Sequence, residues 1–147
     1  MPGLDDLYRE IILDHYRTPR NRGELAPPAS HAVGHNPLCG DEIDVYLEVR
    51  DGIVTDIKVG GQGCSISQSS ASMMSQSVKG KSVADVRALV HKFRSMMSLE
   101  ELDESVAADV KLGDLEALQG VVKFPVRIKC AVLAWNTLTE ALAQADA

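Results

Sequence analysis

The stretch Glu42-Ile43-Asp44-Val45-Tyr46-Leu47-Glu48-Val49-Arg50-Asp51-Gly52-Ile53-Val54-Thr55-Asp56-Ile57-Lys58-Val59 decides the fold. Ile43, Val45, Leu47 and Val49 alternate with Glu42, Asp44, Tyr46, Glu48 and Arg50. Beyond Asp51-Gly52, Ile53, Thr55, Ile57 and Val59 resume the alternation. A period of two marks strands with one buried face, and Asp-Gly supplies the positive φ values that a tight hairpin turn requires. The pattern predicts an antiparallel hairpin over 42–59, closed by Gly60-Gly61-Gln62-Gly63.

Upstream, Leu4, Leu7, Tyr8, Ile11 and His15 fall on one helical stripe and predict a helix over 4–16. Thr18-Pro19-Arg20-Asn21-Arg22-Gly23 stops it. Residues 24–38 read as loop around a short strand near 31–33. Downstream, 65–79 favours helix, with Gly80 as its stop and the many serines of Ser65 to Ser77 as solvent-facing surface. Ser82-x-x-Asp85 caps a further helix whose apolar stripe is Val83, Val86, Val90, Phe93 and Met97. Residues 98–116 carry Glu100, Glu101, Asp103, Glu104, Asp109, Asp114 and Glu116 against Lys111, and read as a solvated, helix-poor insertion outside any site. Pro125 suits the first turn of a last helix bearing Ile128, Ala131, Trp135, Leu138 and Leu142. The class is α+β: a small antiparallel sheet of about three strands packed against several helices.

The chain has 147 residues, within the roughly 100–200 expected of one domain, so 1–147 is read as a single domain. Its 45% apolar and 24% charged residues are ordinary globular values. A net charge of −6 repels phosphate backbones and argues against nucleic acid as a partner. No apolar run approaches the roughly 20 residues that span a bilayer, so no membrane association is expected. The acidic start Met1-Pro2-Gly3-Leu4-Asp5-Asp6 lacks the basic and apolar regions of a signal peptide, and a cytoplasmic location is the expectation.

The three cysteines are an odd number in a chain large enough to fold without staples, which favours metal or thiol chemistry over disulfides. Cys39 and Asp41 flank Gly40 just before the hairpin, and residues two apart in an extended segment point to one side. Cys64 follows the glycine-rich turn and opens a helix, where exposed N–H groups favour an anionic sulfur. Cys130 lies near the start of the last helix, three residues after Arg127. A hairpin returns the chain to the same sheet edge, so Cys39, Asp41 and Cys64 converge there, and a last helix packed on the sheet brings Cys130 to the same end. Three thiolates and a carboxylate form a tetrahedral donor set that suits zinc or an iron–sulfur cluster. The competing readings are a turn cysteine for Cys39 and small buried core cysteines for Cys64 and Cys130. Of the histidines, His15 reads as structural, His35 as a spare ligand or base, and His31 and His91 as further candidates. A Cys–His hydrolase lacks an evident third orienting group.

Several segments resemble a known family. Asp14-His15-Tyr16-Arg17-x-Pro19-Arg20-Asn21-x-Gly23, Asn36-Pro37-x-Cys39-Gly40-Asp41 and Gly61-x-Gly63-Cys64-Ser65-Ile66-Ser67 are similar to motifs of the IscU and NifU amino-terminal iron–sulfur assembly family. The residues of 113–121 and Lys123-Phe124-Pro125-x-Arg127-Ile128-Lys129-Cys130 resemble its SufU branch. IscU scaffolds carry a histidine immediately before the third cysteine, and Lys129 stands there in this chain. The resemblance implies a zinc-dependent sulfurtransferase that accepts persulfide sulfur from a SufS-type cysteine desulfurase for iron–sulfur cluster biogenesis, alongside other assembly proteins. Carried over by position, it implies Cys39, Asp41, Cys64 and Cys130 as zinc ligands, Cys39 as the sulfur acceptor, and Arg127 as a contact for the desulfurase. The alternatives are a scaffold assembling a transient iron–sulfur cluster on the same ligands and a non-catalytic zinc-stabilised interaction module.

Overall fold

Three antiparallel strands run in the order β1 (Ser30–Asn36), β2 (Asp41–Arg50) and β3 (Ile53–Gln62). The computed structural model describes residues 2–38, 40–99 and 111–145, so Cys39 and the insertion residues Glu100, Glu101, Asp103, Glu104 and Asp109 lie outside the described part. Asp51 (φ 54°) and Gly52 (φ 76°) take the paired positive dihedrals of a tight hairpin turn. On β2 Ile43, Val45 and Leu47 are buried as the alternation predicts, Asp41 joins the same face, and Val49 is only half-buried.

β3 departs from that prediction. The register pairs Glu48 with Asp56 but Val49 with Val54, which leaves Thr55 as an extra residue. A bulge of this kind exchanges the two faces of the strand. Val54 is therefore buried beside Ile57 and Val59, while Ile53 and Thr55 face outward, Thr55 donating to Glu48 Oε1 at 2.7 Å.

The helices are α1 (Pro2–Arg17), α2 (Ser65–Val78), α3 (Val83–Met96) and α4 (Pro125–Ala145), with 3-10 turns over Gly113–Lys123. α4 covers β1 and β2, and α2 lies between α1, α4 and β3. Trp135 of α4, fully buried, stacks on Phe93 of α3 with ring centroids 4.5 Å apart. Ser82 caps α3 by accepting from the Asp85 N–H, as its sequence position predicts.

The serines of α2 are not helix surface. Ser67, Ser69, Ser70, Ser72 and Ser75 are all buried. Small side chains let α2 pack closely on three sides, and a buried hydroxyl is tolerated only when it is hydrogen-bonded. Ser70 donates to the Ala131 carbonyl at 2.6 Å and accepts from the Trp135 indole at 3.1 Å. Ser75 donates to the Ser72 carbonyl, and Ser72 Oγ accepts the Arg20 N–H. His15 is the satisfied structural histidine expected: Nδ1 meets Ser72 Oγ at 2.8 Å and Nε2 meets Asp114 at 3.2 Å. The Arg20 guanidinium, hydrogen-bonded to Asp14 at 2.6 Å, holds that exposed carboxyl below its ordinary value.

The insertion reading also needs correction at its C-terminal end. Leu112, Leu115, Leu118 and Val121 are buried. Their spacing of three matches the repeat of a 3-10 helix, in which residues three apart share one face. Among the described residues no helix is long and apolar enough to cross a membrane.

Ser70→Ala leaves the Trp135 N–H and the Ala131 carbonyl without this partner. The loss should be about 1–3 kcal/mol, read by urea unfolding with an unchanged denaturant slope. A loss below about 0.5 kcal/mol would mark Ser70 as passive filling.

Candidate metal centre

The site lies at the end of the sheet where β1 hands over to β2. Asn36 ends β1, Asp41 begins β2, and the two are register partners. Both side chains are buried, at 6% and 2% exposure. Cys39 belongs to the connection between them; its neighbours Leu38 and Gly40 are exposed. The reason for a turn here is local, since Pro37 has no N–H to continue a ladder and Gly40 adopts φ 68°.

Cys64 arrives from the other strand of the hairpin. It occupies the position just before α2 with extended backbone angles. Its N–H donates to Asp41 Oδ1 at 2.9 Å, and its sulfur lies 3.9 Å from Asp41 Oδ2. Gly63 makes this approach possible, because a Cβ there would collide with the Asp41 carboxylate and stand 2.7 Å from Ser67 Oγ. Ser67 in turn donates to the Cys64 carbonyl at 3.1 Å. Arg22 reaches the same corner, donating to the Gly61 carbonyl and to Gln68 Oε1.

Cys130 comes from the second turn of α4 and is fully buried. Asn36 Nδ2 donates to its sulfur at 3.7 Å. One donor atom each from Asp41, Cys64 and Cys130 lie within 4.8 Å of one another. Ligand atoms bound to one zinc ion at about 2.0–2.3 Å stand roughly 3.3–3.8 Å apart in a tetrahedron. The observed spread is wider than that spacing by about 1 Å, and the mix of sulfur and carboxylate oxygen suits zinc. The donor set present therefore fits such an ion.

Three of the four expected ligands are brought together, and the fourth, Cys39, lies outside the described residues two positions from Asp41. No histidine joins the three donors among the described residues. His35 is exposed on β1 opposite Glu42, and His31 stacks on Tyr46 and contacts Asp44 on the outer face of the sheet. Arg127 is exposed and lines a cleft of about 1050 Å³ that Cys64 also lines but Cys130 does not. Tyr8, Ile12, Ile66 and Val121 contribute apolar walls to that cleft, and Phe124 and Val126, both more than half exposed, stand at its edge. The sequence reading carries Asn36 only as the first residue of the Asn36-Pro37-x-Cys39-Gly40-Asp41 motif and gives it no role. Its signal was its place across a four-residue turn from Asp41, which only the observed extent of β1 turns into a pairing.

Residues 7–131 match the family model of the NifU-like N-terminal domain. The zinc-dependent sulfurtransferase SufU of Bacillus subtilis (strain 168) is 46% identical over 143 residues, covering 97% of this chain and 94% of that protein. The iron–sulfur cluster assembly scaffold protein IscU of Thermotoga maritima is 40% identical over 92% of each chain. The crystal structure of a Fervidobacterium islandicum AW-1 protein, described as a SUF-system iron–sulfur cluster assembly scaffold, superposes with a TM-score of 0.80 at 32% identity, covering 90% of this chain and 94% of that one. With the three-stranded sheet, the convergent Asp41, Cys64 and Cys130, and likeness over nearly the whole length, this chain belongs to the NifU-like N-terminal domain family as a member of its SufU type.

Proposed function

We propose that this chain is a zinc-dependent sulfurtransferase of the cytoplasm that takes persulfide sulfur from a SufS-type cysteine desulfurase for iron–sulfur cluster biogenesis. The observation that carries the reading is the convergence of Asp41, Cys64 and Cys130 at the sheet end where β1 connects to β2, the connection whose sequence contains Cys39. The B. subtilis relative, named a zinc-dependent sulfurtransferase, supports it.

In this reading Asp41, Cys64 and Cys130 hold the ion together with Cys39. Zinc, when bound, supplies a positive charge that keeps thiols in their anionic form near neutral pH. The remaining chemistry belongs to the chain. Asp41 is tied to the Cys64 N–H, and Cys130 is enclosed by α4 and β1, so these ligands are poorly placed to leave. Leu38 and Gly40, which flank Cys39 in the sequence, are exposed, so a partner can reach this connection. Its thiolate attacks the outer sulfur of the donor's persulfide. A new S–S bond forms on Cys39, the donor S–S bond breaks, and the donor cysteine leaves as a thiolate, with no net oxidation or reduction. Arg127, at the cleft beside Cys64, offers a fixed charge to the incoming protein's carboxylates.

A second reading is a scaffold for a transient iron–sulfur cluster on the same ligands, favoured by the IscU relative. Lys129 beside Cys130 counts against it, since the resemblance expects a histidine there in a scaffold.

After incubation with desulfurase and cysteine, mass spectrometry should find one added sulfur on Cys39, and Cys39→Ser should abolish it. Sulfur mapped only to Cys64 or Cys130 would overturn the assignment. Arg127→Ala should raise the concentration needed for half-maximal stimulation of the desulfurase by about tenfold, equivalent to about 1.4 kcal/mol, with zinc content unchanged. Titration of desulfurase activity checks this, and an unaltered half-point would remove Arg127 from the interface.

A further inference from the structure

We infer that Asn36 is a positioning residue of the metal centre, whose side-chain amide fixes the Cys130 thiolate and makes it a resident ligand rather than a sulfur acceptor. The inference rests on the metal reading above and goes beyond its four ligands.

Asn36 is nine-tenths buried at the last position of β1, and its amide nitrogen stands 3.7 Å from the Cys130 sulfur. A buried amide needs partners, and the orientation is set by charge: the carbonyl end would repel an anionic sulfur, while the N–H end attracts it. Hydrogen-bond donors around metal-bound ligands orient them and tune their basicity. An N–H aimed at sulfur withdraws electron density from it, which lowers its reactivity toward an electrophilic sulfur and offsets part of the negative charge that several thiolates bring to one ion.

The cross-strand pairing gives this arrangement a simple logic. Asn36 and Asp41 face the core side by side. Asn36 donates to the ligand arriving from α4, and Asp41 accepts from the residue arriving at α2. One pair of neighbouring side chains thereby places both distal cysteines against the sheet. The third cysteine, Cys39, lies in the short connection between that pair.

Asn36→Leu keeps the branched side-chain shape, with a somewhat larger volume, and removes the donor. The test compares cobalt-substituted and zinc-loaded protein for the wild type, Asn36→Leu, and Val54→Ala as a control that loses stability at the other end of the hairpin, beside the Asp51-Gly52 turn. The thiolate-to-cobalt charge-transfer band of Asn36→Leu should move to longer wavelength. Its zinc affinity, measured by chelator competition, should fall about 10–100-fold. Val54→Ala should change neither. If Asn36→Leu does not fold, Asn36→Ser, whose hydroxyl is too short to reach the sulfur, gives the same readouts. A band that stays in place overturns the inference, whether or not affinity falls, because packing alone would then account for Asn36. A wild-type protein with no thiolate band at all would overturn the metal centre itself, and this inference with it.

Discussion

The Cys64 N–H donates to the Asp41 carboxylate at 2.9 Å, and the rest of the site depends on that bond. It joins the first residue of β2 to the residue that opens α2, closing the hairpin at the end opposite its Asp51-Gly52 turn. Buried peptide and carboxylate groups must be paired, so the contact fixes both the entry of α2 and the direction of Asp41. It requires Gly63, because any side chain there would occupy the carboxylate's place. Once α2 is set, its buried serines lock it to α4 through Ala131 and Trp135, and α4 delivers Cys130. The candidate metal-binding group is thus the meeting point of three elements, each held by contacts that contain no metal.

Parts of this arrangement are legible in the sequence because they rest on local chemistry. The Asp51-Gly52 turn, the Ser82–Asp85 cap and the Pro125 start of α4 each follow from the dihedral or hydrogen-bonding needs of a few residues. The convergence of Asp41, Cys64 and Cys130 follows from hairpin geometry joined to the family motifs. Other parts depend on non-local packing. The bulge at Thr55 swaps the faces of β3 without breaking the apolar pattern, because Ile53 and Val54 are both plausible core residues. The serines of α2 look polar in sequence, and only the close approach of α1 and α4 makes them interior. Leu112, Leu115, Leu118 and Val121 repeat every three residues, a period masked in sequence by the surrounding acids. Asn36 opens the Asn36-Pro37-x-Cys39-Gly40-Asp41 motif, but nothing in that motif says that it meets Cys130; the contact depends on a strand register.

Opposite properties sit on the two sides of the centre. Cys130 is enclosed and hydrogen-bonded, whereas Cys64 opens onto an apolar cleft at which Arg127 also lies. A protein that must keep a metal while yielding one cysteine to a partner needs this asymmetry, with firm ligands on the core side and an approachable turn on the other. The four expected ligands suit a cluster scaffold as well, and the two proposed functions differ in what those ligands must do rather than in which residues they are.

The central claim is one metal ion held by three sulfurs and one carboxylate oxygen. Zinc K-edge X-ray absorption of the purified protein tests it most directly. The account predicts a first shell of three sulfurs at about 2.3 Å and one oxygen at about 2.0–2.2 Å. A shell made of nitrogen and oxygen alone, or one unchanged by Cys130→Ser, would contradict it.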